Sequence, residues 1–187
     1  MARFETDQNY RGETVAMIQR MIRAAQLKAE VYEEVEADKS ATVQAMTVVV
    51  LAALATGIAF LGVGVAANAI DVAFIVVFAL LGWALLAWIT YLVGTRLFPT
   101  PETSADWGEL ARTLGFAQSP GVLRIFLIVP GIGPLIFLIA SIWTLVATVI
   151  AIRQALDYTS TWRAVGVAIA SYIPQSLLLG IAASLFV

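Results

Sequence analysis

From residue 41 to residue 67 the chain carries no charged side chain, and that run restricts the fold more than any other feature of the sequence. As a helix it extends about 40 Å at ~1.5 Å per residue, enough to cross a hydrocarbon layer of ~30 Å with some tilt. Residues 72–97, 135–152 and 164–187 follow the same apolar pattern, while charge crowds into residues 1–39. Overall, 60% of residues are hydrophobic and 13% charged, with a mean hydropathy of +0.88. A soluble domain has roughly 45–50% apolar and about 25% charged residues. The expected fold is therefore all-α: a polytopic integral membrane helix bundle of about five transmembrane segments.

Two parts are expected, residues 1–40 on the cytoplasmic side and a membrane domain over 41–187. The first apolar run begins some forty residues in, behind a charged segment, unlike a secretory signal. Residues 1–12 read as a polar tail. Over residues 13–36, Val15, Ile18, Met21, Ile22, Ala25, Ala29, Tyr32 and Val35 recur at steps of three and four, an apolar stripe on one helix face. Such an amphipathic helix either lies on the membrane surface, with Arg20, Arg23 and Lys28 near lipid phosphates, or packs on the protein's own cytoplasmic loops. Ser40 or Thr42 is expected to cap the first span.

Within that span small residues recur at four-residue steps, Ala53/Gly57, Ala55/Ala59 and Gly62/Ala66, which lets a neighbouring helix approach closely. A polar turn at residues 68–71 leads to a second span over 72–97, anchored at the interface by Trp88, Tyr91 and Arg96 and stopped by Pro99 and Pro101. Residues 103–117 read as a short amphipathic helix, with Ser104 a cap and Asp106 in its first turn. The third segment is irregular. Pro120 opens a short apolar stretch holding Arg124, which runs into Pro130-Gly131-Ile132-Gly133-Pro134, a density of breakers that excludes an ordinary helix interior. Either residues 110–132 form a kinked span, or 120–129 is a half-span that turns within the membrane.

Positive charge sets the orientation. With a cytoplasmic amino terminus and five passes, all 11 Lys and Arg fall on one side. Arg3, Arg11, Arg20, Arg23, Lys28 and Lys39 precede span one; Arg96, Arg112 and Arg124 lie between spans two and three; Arg153 and Arg163 lie between four and five. The carboxyl end is then outside.

The chain has no Cys and no His, which removes Cys/His zinc sites, axial His for haem and the His-dependent catalytic pairs. A net charge of −2 gives no reason to expect nucleic acid as a partner. No catalytic site, cofactor or metal is expected. Arg124 either binds a lipid phosphate, pairs with Glu109 or Asp106, or snorkels to the interface; with Arg20, Arg23, Lys28 and Arg112 it makes the candidate set for lipid or partner contact. Ser141, Thr144 and Thr148 share a face of span four, and Ser171 and Gln175 a face of span five. They read as interhelix hydrogen-bonding groups or as a polar pathway. Arg153 and Asp157, one turn apart, read as a surface ion pair.

Several stretches resemble the Yip1 family of small five-pass membrane proteins in its bacterial form. They are Tyr32-Glu33-Glu34-Val35-Glu36-Ala37-Asp38-Lys39-Ser40-Ala41, Leu114-Gly115-Phe116-Ala117-Gln118-Ser119-Pro120, the turn at 130–134, and Trp143-Thr144 through Arg153-Gln154-Ala155-Leu156-Asp157-Tyr158. The second is similar to the family's Leu-Gly-Tyr-x-x-x-Pro element with Phe for Tyr. The resemblance covers residues 32–174 and implies a cytoplasmic amino-terminal segment, five passes and association with other membrane proteins. Eukaryotic relatives bind Rab GTPases and carry an Asp-Leu-Tyr-Gly-Pro-type motif before span one; this sequence lacks it, which removes the support for that role. The function expected is non-enzymatic, in a prokaryotic cytoplasmic membrane, organising lipids or membrane-protein subunits as a homo-oligomer or accessory subunit. The alternative is a small-solute transporter or channel built on the broken third segment.

Overall fold

The computed structural model of the chain describes residues 2–184, and the regular structure among them is helical. Helices α1 (Ala2–Ala25) and α2 (Ala29–Ala37) pack on a bundle made by α3 (Ala41–Gly62), α4 (Ala69–Leu92), α5 (Trp107–Phe116), α6 (Gly133–Ala155) and α7 (Thr161–Ser184). The junction of α1 and α2 lies beside the middle of α6, where Trp143 Nε1–H donates to Ala25 O at 2.8 Å. A π-turn, Val93–Leu97, ends α4, and a 3-10 helix, Ser119–Ile128, follows α5. Three segments are long and apolar enough to cross a membrane: Ala41–Gly62, Ala69–Leu97 and Gly133–Ala155. Residues 185–187 of the expected fifth span, Met1, and the side chains of Arg3 and Arg11 lie outside the described residues.

The outward faces of these helices are apolar. Val43, Phe74, Leu81, Ile142, Ile169 and Leu177 are all more than half exposed. In water they would form an apolar surface far larger than soluble proteins carry; against lipid it has no such cost.

Helix ends follow local chemistry, and some differ from the sequence expectation. The amino-terminal segment is helical from Ala2, where a tail was expected, and breaks at Leu27, whose φ of +61° reverses the chain. There Lys28 N–H bonds Arg23 O and Leu27 N–H bonds Ala24 O, closing off the carbonyls of α1. The first span is not capped by a Ser40 or Thr42 side chain; instead Asp38 accepts from Ser40 N–H and Oγ–H. Asn68 and Asp71 form a reciprocal capping box that starts α4. Asp106, not Ser104, caps α5, in a second box with Glu109.

The third segment is where sequence left two geometries open. Three close approaches fix its course. A Cβ added to Gly115 would lie 2.7 Å from Ala45 Cβ, one on Gly121 3.2 Å from Ala52 Cβ, and one on Gly62 2.8 Å from Ile128 Cγ2. The chain from α5 through the 3-10 helix thus runs beside α3, in the same direction, along nearly all of its length. Between Ala52 and Gly62, α3 rises about 15 Å at ~1.5 Å per residue. The shorter stretch from Gly121 to Ile128 matches it only in 3-10 geometry, about 14 Å at ~2.0 Å per residue, where α geometry gives about 10 Å. Pro120 sits at the first turn of this helix, and Gly131, with φ +82°, reverses the chain into α6, which starts at Gly133 and Pro134. The 3-10 helix thus ends level with Gly62, the last residue of α3.

Candidate functional site

At mid-height the bundle holds a half-open cavity of ≈ 510 Å³. Its walls come from the middles of α3, α4, α6 and α7, with Gln118 and Arg124 entering from the third segment. The apolar part includes Val49, Phe78, Trp83, Leu86 and Leu145; the polar part includes Thr56, Ser141, Thr144, Tyr172 and Gln175. No Asp or Glu lines it.

Arg124 gives this cavity its chemistry. In a 3-10 helix residues three apart eclipse one another, so the Arg124 side chain lies over Gly121. A Cβ on Gly121 would stand 3.2 Å from Arg124 Nη1; the glycine leaves the room that the guanidinium occupies. Arg124 Nε is buried with no hydrogen-bond partner. The expected pairing with Glu109 or Asp106 is not made, because those two carboxylates accept each other's backbone N–H in the α5 capping box.

The hydroxyls of α6 spend their protons on their own helix, and among them Thr148 also bridges helices, accepting from Tyr172 Oη–H on α7. Ser141 Oγ–H donates to Phe137 O at 2.8 Å, Thr144 Oγ1–H to Ala140 O at 2.8 Å, and Thr148 Oγ1–H to Thr144 O at 2.9 Å. Each proton is used one turn back on its own helix, so Ser141 and Thr144 show the cavity oxygens that can only accept. Thr148 lies off the cavity, and its oxygen faces Tyr172 Oη at 3.4 Å. Gln175 does bridge, donating Nε2–H to Gly82 O at 2.8 Å. Ser171 is buried outside the cavity with its Oγ unpartnered. Sequence reasoning did not single out Gln118, Tyr172, Trp83 or Thr56. The available signals were the polar Gln118 just before Pro120 and Tyr172 adjoining Ser171.

A second polar region lies where α1 and α2 pack on the bundle, and its charges are matched. Arg20 joins three helices: Nε to Glu34 Oε1 at 2.8 Å, Nη2 to Asp38 Oδ2 at 2.9 Å and Nη1 to Gln44 Oε1 at 2.9 Å. Arg23 Nη1 lies 2.6 Å from Glu34 Oε2. Glu34 is held below the usual carboxylate range by its bond to Arg20 and, next, that to Arg23, against the opposing effect of burial. Arg112 is 5% exposed and donates to Val35 O at 2.9 Å and to Glu36 O, covering the last carbonyls of α2. Arg20, Arg23 and Arg112, expected near lipid or partners, are therefore engaged within the protein; Lys28 is exposed.

Glu36 is pushed up to about 7, first by burial, then by Glu109 and Asp157 nearby. The expected Arg153–Asp157 pair is absent: Arg153 donates to Tyr158 O and Thr159 O, while Asp157, at φ +52°, turns the chain out of α6. Beside it Tyr158 Oη is 2.8 Å from Phe98 O, under the Arg163 guanidinium, which ties the α6–α7 loop to the π-turn.

Among the described residues no group of three or more His, Cys, Asp and Glu comes together in a way that holds a metal ion. No curated protein and no solved structure matches the chain. The Yip1 domain family model matches residues 28–183.

Proposed function

From the premise that this chain belongs to the Yip1 domain family, we propose that it is a non-enzymatic, five-pass integral protein of a prokaryotic cytoplasmic membrane that organises lipid or protein partners, as a homo-oligomer or as an accessory subunit. The amino terminus is cytoplasmic and the carboxyl terminus outside. Spans one, two and four are α3, α4 with its π-turn, and α6; α5 with the 3-10 helix makes the third pass and α7 the fifth. The course of the third segment alongside α3 supports this count. The distribution of Lys and Arg supports the orientation.

The observation that carries the organising role is on α1. Val15, Ile18 and Ile22 keep about half their surface exposed on one face of a helix docked on the bundle, while the arginines beside them are neutralised by Glu34 and Asp38. An apolar stripe without free charge at that level suits insertion at the acyl boundary or contact with another subunit. A second reading, passage of a small solute, is favoured by the mid-height cavity, since transporter sites lie at that depth beside interrupted helices.

Topology is open to direct test because the chain contains no cysteine. Single-thiol variants Lys28→Cys, Glu102→Cys and Trp162→Cys should react with an impermeant maleimide only from the cytoplasmic face, and Asn68→Cys and Ile132→Cys only from outside. Labelling of Ile132→Cys from the same face as Lys28→Cys would remove the third pass. For the organising role, native mass spectrometry in mild detergent should show a defined oligomer, a co-purifying subunit or retained lipid. A bare monomer counts against it.

A further inference from the structure

We propose that the mid-height cavity is a binding site for the phosphate-type oxyanion head of an anionic lipid, with Arg124 as its counter-ion and an acyl chain lying in the adjoining groove between α6 and α7. The inference rests on the lipid-organising reading above and names the ligand that reading leaves open.

Three observations converge on it. First, the cavity holds a guanidinium whose Nε is buried and unpartnered, and no carboxylate lines the walls to neutralise it. The side chain is half-buried, and no carboxylate along the cavity walls supplies a counter-ion for it. Second, the remaining donors fit an oxyanion. Gln175 has a second Nε2–H beyond the one given to Gly82 O, and Gln118 also faces the cavity. At ≈ 510 Å³ the space is that of a small-molecule site.

Third, the cavity adjoins a second one of a different character. A groove of ≈ 370 Å³ between α6 and α7 is lined by Val149, Val165, Ala168, Ile169 and Ile173, and it shares Leu145 and Tyr172 with the first. A charged chamber next to an apolar channel, with a phenol between them, matches an amphiphile's head, glycerol region and chain. A free phosphate would use the chamber and leave the groove without a purpose. The lack of any carboxylate also sets selectivity: nothing in the chamber receives a choline or ethanolamine cation, so an anionic headgroup is preferred over a zwitterionic one.

The test uses the full chain in mild detergent, with dioleoylphosphatidylglycerol, dioleoylphosphatidylcholine and inorganic phosphate as probes. Native mass spectrometry should show phosphatidylglycerol retained in preference to phosphatidylcholine. Arg124→Gln should weaken that retention at least about tenfold, as loss of charge-assisted hydrogen bonds does. Arg124→Lys should retain part of it, and Lys28→Gln, at an exposed position that does not line the cavity, should change nothing. Ala168→Trp fills the groove and leaves the chamber intact. Loss of lipid in that variant, with any stabilisation by inorganic phosphate preserved, identifies the lipid as the source. Stabilisation by phosphate that depends on Arg124, with lipid retention indifferent to Ala168→Trp, identifies a soluble oxyanion instead and overturns the groove assignment. Should Arg124→Gln not fold, Ser141→Leu obstructs the chamber with the guanidinium still present. Equal retention of phosphatidylglycerol by the wild type, Arg124→Gln and Ser141→Leu means that water alone fills the cavity, and the proposal falls. The topology labelling and the oligomer measurement do not depend on Arg124, so that outcome leaves the wider reading standing.

Discussion

Two arginines in neighbouring stretches of chain meet opposite fates. Arg112 on α5 is buried and uses its guanidinium on the carbonyls of Val35 and Glu36. Arg124, on the 3-10 helix that follows, faces a cavity and leaves its Nε without a bond. The first is a clasp between helices. The second is an unfilled valence. Burial alone therefore does not say what a charged side chain does in such a bundle; the fate of its donors does.

The contrast predicts opposite signs on mutation. Arg112→Met should be the most damaging, because it strands the terminal carbonyls of α2: a loss of roughly 2–3 kcal/mol, seen as a lower unfolding temperature in detergent. Arg124→Met, in lipid-free detergent, should raise that temperature, by an amount on the order of 1 kcal/mol, since it removes a charge that lacks compensation. If both variants destabilise alike, Arg124 is a structural clasp too and the distinction disappears.

The smallest effect belongs to Glu36, beside the Arg112 clasp. Its folded value of about 7 lies above the ordinary 4.5, so the folded state holds the proton more tightly than the unfolded chain. Stability is then lost as pH rises from about 4.5 to about 7, and the loss is complete above that. Glu36→Gln copies the protonated form. It should stabilise at pH 8 and make little difference at pH 4.5, by well under ~1 kcal/mol for a group still reached by solvent. A gain that is the same at both values would mean that ionisation is not the cause.

What the sequence made legible follows the range over which each interaction acts. Long apolar runs depend on composition alone, and α3, α4 and α6 fall where those runs do. The break at Pro130–Pro134 was visible for the same reason. The cap of α5 was harder. Ser104 and Asp106 are both good cap residues, and only Asp106 brings Trp107 to α4, where its Nε1–H reaches Ala84 O. The hydroxyl row of α6 could be read from spacing, but not the direction of its hydrogen bonds, which turn back on their own helix. Arg112 was least legible of all, since its partners are more than seventy residues earlier in the chain. The cavity depends on five segments meeting, and no local pattern encodes it. Arg124 stood out as a charge in an apolar stretch; its open donors became visible only once the neighbours were in place.

The 3-10 helix acts as a taut cord. Winding Ser119–Ile128 into α geometry would shorten those ten residues by about 5 Å, and the eclipsed stacking of Arg124 on Gly121 would be lost with the change in pitch. One end is moored where Gly121 meets Ala52, the other where Ile128 fills the notch at Gly62. Length, rotation of the guanidinium and grip at both moorings are thus a single mechanical quantity, so slack introduced at Gly62 is felt at Arg124, at the middle of the cord.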